Sequence, residues 1–221
     1  MDVNHRDENN RTPIFHAAMK GDHAMCLELL GRGADVNSRD NDGSSPLIMA
    51  SRHGHTVVVS ILIAAEAQLN VRDELYCDMT SLMWASLEGH TDIVRQVFIK
   101  DLLKTQLEPT FRLLLLAGAD VNIQNISWNL LRTALIEAAL KGHTDIVNLL
   151  LDAGAEVDTR DNEGRTAVIM AALKGNTDVV RILRDTGADL TIVDVDGKTA
   201  LMWAVSNGFN AIIKLLEIPG A

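Results

Sequence analysis

The chain has 221 residues, 47% of them hydrophobic and 4% aromatic, and a formal net charge of −10. So acidic a total argues against general attraction to phosphate backbones, and nucleic acid is not an expected partner. Two cysteines without a CxxC pair, Cys26 and Cys77, exclude a disulfide framework or a zinc site as the organising principle.

The opening residues are polar and charged, which is not the pattern of a secretory leader. Asp2-Val3-Asn4 repeats a motif that elsewhere follows Gly-Ala. The chain therefore enters in the middle of a unit, either as a half-unit or as part of something longer. The longest apolar stretches, Val57–Ile63 and Leu113–Ala117, are too short to cross a membrane. The expected setting is intracellular, the cytoplasm first.

Self-similarity then dominates the sequence. Thr12-Pro13-Ile14-Phe15-His16-Ala17-Ala18 recurs in register at Ser45, Thr80, Thr133, Thr166 and Thr199, with steps of 33, 35, 53, 33 and 33 residues. Nine residues after each start stands a glycine: Gly21, Gly54, Gly89, Gly142, Gly175 and Gly208. In each copy Thr or Ser is placed to cap a helix, and Pro13 and Pro46 fit its first turn, where no amide partner is lost. The glycine ends this short helix in the left-handed region. A second helix follows, with an acidic residue near its positive end at Asp92, Asp145 and Asp178. It closes on Gly-Ala at Gly33, Gly118, Gly154, Gly187 and Gly220, and an extended segment with a polar tip leads to the next copy.

The pattern T-P-L-H-x-A-A…G-H…V-V…L-L…G-A-D-V-N resembles the ankyrin repeat across essentially the whole chain. The resemblance implies an all-α repeat, an α-solenoid of six stacked repeats with short β-hairpin fingers, as a single domain over 1–221. The repeats run 12–44, 45–79, 80–132, 133–165, 166–198 and 199–221.

Three departures stand out. Glu66 occupies a position that is glycine in other copies, so a left-handed turn there costs roughly 1–2 kcal/mol. The finger at 73–79 is two residues longer than in the 33-residue copies, which predicts local irregularity. The third repeat carries an insertion near 97–113, open to three readings: an extension of the second helix plus a loop, a partner-binding element, or an in-frame intron translated as protein. Phe15, Ile14 and Leu27 of the first copy are expected to be partly uncovered.

No G-x-S-x-G, P-loop or G-x-G-x-x-G occurs, and the His53–His55 pair lacks a third metal ligand, so neither an enzyme nor a cofactor is expected. His55, His90 and His143 are one repeated position, suited to hydrogen bonds between adjacent loops. Met49, Trp84, Met170 and Trp203 share another, suited to packing.

What the resemblance implies is binding of a protein or peptide partner on the concave face, by a chain expected to be monomeric. The alternative is a targeting or substrate-recognition module of a larger enzyme or signalling protein. Carried onto this sequence, the finger positions are Arg39, Arg72 and Arg160, with tip residues Tyr76 and Trp128. On the first helices Leu87, Leu140 and Leu173 form an apolar ridge, and Lys141 and Lys174 lie beside it. Asp follows each Arg of the column, so ion pairing between fingers is expected to neutralise part of that charge.

Overall fold

The computed structural model describes residues 2–74, 78–90, 119–125 and 130–217. Eleven helices are found among them, each seven to nine residues long. They are α1 (Pro13–Lys20), α2 (His23–Gly31), α3 (Pro46–Arg52), α4 (Thr56–Ala64), α5 (Ser81–Glu88), α6 (Ala134–Lys141), α7 (Thr144–Asp152), α8 (Ala167–Lys174), α9 (Thr177–Asp185), α10 (Ala200–Ser206) and α11 (Asn210–Glu217). They fall into two compact units, Met1–Asp120 and Val121–Ala221. The insertion near 97–113 lies outside the described residues.

Within each unit the same unit of structure recurs. In the first, α1 pairs with α2 and α3 with α4, while α1, α3 and α5 stack on one another in one layer and α2 and α4 in the other. In the second, α6, α8 and α10 stack in one layer and α7, α9 and α11 in the other. Helices this short are marginal on their own in water, so their stability comes from this stacking. The core is accordingly made of residues at repeated positions: Ile14, Leu47, Leu82, Leu135 and Val168 are all buried, as are Ala18, Ala139 and Ala172.

The local chemistry matches the sequence. Hydroxyls of Thr12, Ser45, Thr80, Thr133 and Thr199 accept the amide of the residue three positions on, each cap contributing about 1 kcal/mol. Thr166 occupies the same place without a side-chain cap bond. Gly21, Gly89, Gly142 and Gly175 end the first helices at φ between 72° and 81°. Glu66 takes φ 64° where Gly33, Gly154 and Gly187 take 84°, 86° and 96°, so the chain accepts the left-handed turn with a side chain attached.

The fingers are turns more than ribbons. Each closes on itself through backbone bonds such as Asp40 N–H to the Ser44 carbonyl and Asp161 N–H to the Arg165 carbonyl. A single isolated bridge, Arg72 with Thr80, is the only β-pairing among the described residues. Successive tips are tied by one amide each: Asn41 to the Asn9 carbonyl, Glu74 to Asp42, Asn162 to Leu130 and Val195 to Glu163.

One expectation holds for Leu27 and fails for Ile14 and Phe15. Ile14 and Phe15 are fully buried, whereas Leu27 is 56% exposed. The Phe15 position faces the following repeat, where α3 covers it; at the same register in the sixth copy Met202 is 51% exposed.

A second coupling between repeats had no warning in the sequence. The Asn of an Asp-Val-Asn segment, or the Asn70 or Asp158 at its register, accepts through Oδ1 the backbone amide at the start of the next such segment. Asn4 binds Asp35 (2.8 Å), Asn37 binds Gln68 (2.8 Å) and Asn70 binds Asp120 (3.1 Å). In the second unit Asn122 binds Glu156 (2.9 Å) and Asp158 binds Asp189 (3.0 Å).

Candidate functional site

The arginine column is built into the fingers. Arg6 donates to the Arg39 carbonyl at 3.0 Å, Arg39 to the Arg72 carbonyl at 2.8 Å, and Gln124 to the Arg160 carbonyl at 2.9 Å. Arg39 also meets Glu74 at 3.4 Å, and Arg72 meets Asp78 at 2.5 Å. These links, and not pairing with the Asp that follows each Arg, occupy the guanidinium groups. Sequence adjacency misled here because those aspartates point inward.

Each finger aspartate has two duties. Its Oδ1 closes the finger: in Asp40 it accepts the amides of Asp42 and Ser44, in Asp161 those of Glu163 and Arg165, in Asp194 those of Asp196 and Lys198. Its Oδ2 is buried too: in Asp161 it meets only Arg132, at 3.7 Å, whereas in Asp40, Asp73 and Asp194 a donor reaches it from elsewhere. Trp84 supplies one to Asp73 at 2.6 Å and Trp203 to Asp194 at 2.7 Å, both from the helix that follows the finger. Where that helix carries Met49 instead, Arg11 of the preceding copy reaches Asp40 at 3.2 Å. Burial alone would raise the carboxyl of Asp194, but the Lys198 amide, the Trp203 indole, the Asp196 amide and Arg165 together hold it below the usual range. The indoles of Trp84 and Trp203 thus pack and bond at once, with the Arg52 guanidinium 4.2 Å from the Trp84 ring and Lys198 4.0 Å from that of Trp203.

Two of the three loop histidines do what their repetition suggested. His55 donates to the Met19 carbonyl at 3.2 Å and His90 to the Arg52 carbonyl at 2.7 Å. Their rings lie so close to the preceding loop glycine that a Cβ on Gly21 or Gly54 would stand 2.7 Å from Nδ1. In the second unit Asn176 takes over, donating to the carbonyls of Ala139 (2.9 Å) and Leu140 (3.1 Å).

In the first unit the expected site residues Arg39, Arg72 and Leu87 are all half-buried. Tyr76 lies outside the described residues, as does Trp128. In the second unit Leu140 and Leu173 hold the same register on the neighbouring helices α6 and α8, and both are half-buried. Lys141 and Lys174 follow them, exposed at the ends of those helices. Arg160 is exposed, and its carbonyl accepts from Gln124. Three cations therefore accompany two apolar side chains within one unit. The largest exposed apolar side chains lie elsewhere, at Met25, Leu27, Val57, Val193, Val195, Met202 and Val205.

Among the described residues no group of His, Cys, Asp and Glu is placed to hold a metal, and no helix is long and apolar enough to cross a membrane.

The family description "Ankyrin repeats (3 copies)" matches residues 14–106, 103–194 and 161–221. The chain belongs to the ankyrin repeat family. No curated protein matches it. Among solved structures it is similar to an ankyrin repeat domain from Acinetobacter baumannii, with 29% identity and a TM-score of 0.76, over 92% of this chain and 95% of that one. It is similar also to the human ASB11 ankyrin repeat domain, with 26% identity and a TM-score of 0.81, over 100% of this chain and 90% of that one. Ankyrin repeats are in general protein-interaction modules, and the all-helical repeat architecture here is theirs.

Proposed function

We propose that this ankyrin repeat chain is a non-catalytic scaffold that binds a partner protein through the inner face of its second unit. The observation that carries this reading is the pairing of Leu140 and Leu173 in one register, with Lys141, Lys174 and Arg160 exposed in the same unit. Half-buried leucines offer apolar contact at little ordering cost, because their own helices already fix them. The cations select a segment with acidic side chains and exclude one that is basic. In the first unit Arg39 and Arg72 are engaged in finger contacts, so they serve a partner less directly than Arg160. The free, buried thiol of Cys26, pushed up to about 11 by burial and by Asp22, suits a reducing, intracellular setting.

The test replaces Leu140 and Leu173 together by Asp and compares the proteins recovered by proximity labelling in cells with those recovered by the parent. Partners that bind this face disappear from the double variant while its thermal unfolding stays cooperative. Recovery of the same partners by both proteins overturns the proposal.

A further inference from the structure

Six of the seven histidines, all except His143, lie in the first unit. Three of these six cluster at its repeat junctions. His53 and His55 stack nearly parallel, with centroids 5.9 Å apart and an interplanar angle of 9°. His55 bridges back to Met19, and His90 bridges back to Arg52. In each bridge Nε2 carries the proton, since a carbonyl accepts it. That leaves Nδ1 as the atom a second proton would take. Nδ1 of His55 faces the Gly21 loop, and Nδ1 of His90 faces the Gly54 loop, both at closest approach.

We propose that these junctions form an acid-sensitive device, in which protonation of His55, stacked on His53 and bridged to Met19, loosens the stacking of the first two repeats while the fifth and sixth stay closed. The argument is geometric. Among the described residues no carboxylate hydrogen-bonds any of the three rings, whereas His16, outside the cluster, sits 2.8 Å from Asp7. The charged groups around His55 are its own neighbours Arg52 and His53, then Lys20 and Asp22 on either side of Gly21, and Glu88 and His90 in the next loop. Asp22 already accepts the Met25 amide at the start of α2. A second proton on His55 therefore stands beside the His53 and His90 rings, on an Nδ1 that lies against the Gly21 loop. Burial and the two neighbouring imidazoles hold His55 below the usual histidine range.

The sign follows from linkage. A base depressed in the folded state contributes stability that is present above its unfolded value, near 6.5, and lost as pH falls through the folded value. The last two copies of the second unit are built differently. Its fifth and sixth copies hold Asn176 and Phe209 at the histidine position, neither of which titrates. Its buried Glu137, raised by burial, favours the fold more as pH falls.

The experiment is hydrogen exchange on the full chain at pH 7.5 and 5.0, corrected for intrinsic rates, together with a His55→Asn, His90→Asn variant patterned on Asn176. In the parent, protection of segments 19–23 and 52–56 falls about threefold or more, while that of 172–177 holds. The variant loses this pH dependence and keeps its protection at pH 7.5. Equal loss in all three segments overturns the proposal, as does an unchanged pH dependence in a variant that is protected at pH 7.5. Should the variant lose protection at pH 7.5, the contrast between segments in the parent decides alone.

Discussion

Glu66 offers a clean substitution, because the backbone around it is that of its glycine counterparts. Its amide bonds the Ile63 carbonyl at 3.0 Å, as that of Gly33 bonds Leu30 and that of Gly154 bonds Leu151. The next amide, Ala67, bonds Leu62 at 3.0 Å, matching Ala34 on Leu29. Only the side chain differs. An L-residue in the left-handed region costs roughly 1–2 kcal/mol, and glycine's greater freedom in the unfolded chain takes back about 0.5–1. Glu66→Gly should therefore stabilise by about 0.5–1 kcal/mol, a rise in Tm of about 1–4 °C for a chain of this size.

Two controls separate backbone from charge. Glu66→Ala removes the carboxylate and keeps the Cβ, so it should gain much less. Gly33→Ala runs the change backwards and should cost about as much as Glu66→Gly gains, although a Cβ there meets nothing within 4 Å. Two residues earlier, Gly31 lies in α2 with equal space and no positive φ, and Gly31→Ala should stabilise by up to about 1 kcal/mol. Urea unfolding with matched m-values is the assay. A gain from Glu66→Ala equal to that from Glu66→Gly would refute the backbone argument, as would a neutral Gly33→Ala.

Three further outcomes can be measured the same way. Leu131 stands at φ 51° in the finger position that Gly43, Gly164 and Gly197 occupy elsewhere, so Leu131→Gly should raise Tm by an amount similar to Glu66→Gly. Asn122→Ala removes the acceptor of the Glu156 amide and should destabilise by about 1 kcal/mol, with an effect on exchange confined to neighbouring amides of the second unit. Glu137 is a buried carboxyl where Met49 and Met170 stand in other copies, and its nearest partner, Arg132, also reaches Asp161. Glu137→Met should therefore stabilise, and more at pH 7 than at pH 4.5, because its raised carboxyl must ionise inside the protein only at the higher pH.

Much of the fold was legible because it rests on local rules. Thr12, Ser45, Thr80, Thr133 and Thr199 cap where a hydroxyl precedes a helix-compatible run, and Glu66 stands in the left-handed turn its register required. The couplings between repeats were less so, since their partners lie about 30 to 50 residues away. Nothing near Asn37 reveals that it receives the amide of Gln68. Arg39 followed by Asp40 reads as a charge pair, yet Arg39 bonds the next finger's carbonyl and Asp40 turns inward to its own amides. The burial of Phe15 was misjudged for a related reason: a helix position facing the next repeat cannot be told from sequence periodicity alone. The register of Leu140 and Leu173 was legible, and so was the exposure of the lysines that follow them.

Site-specific photo-crosslinking tests the scaffold reading most directly. A benzophenone side chain at Leu173, on the inner helix α8, is compared with one at Asn148, exposed on the second helix α7 of its repeat. The account predicts that the partners lost from the Leu140→Asp, Leu173→Asp variant crosslink at 173 and not at 148. Crosslinking of those partners at 148 in place of 173 would contradict it.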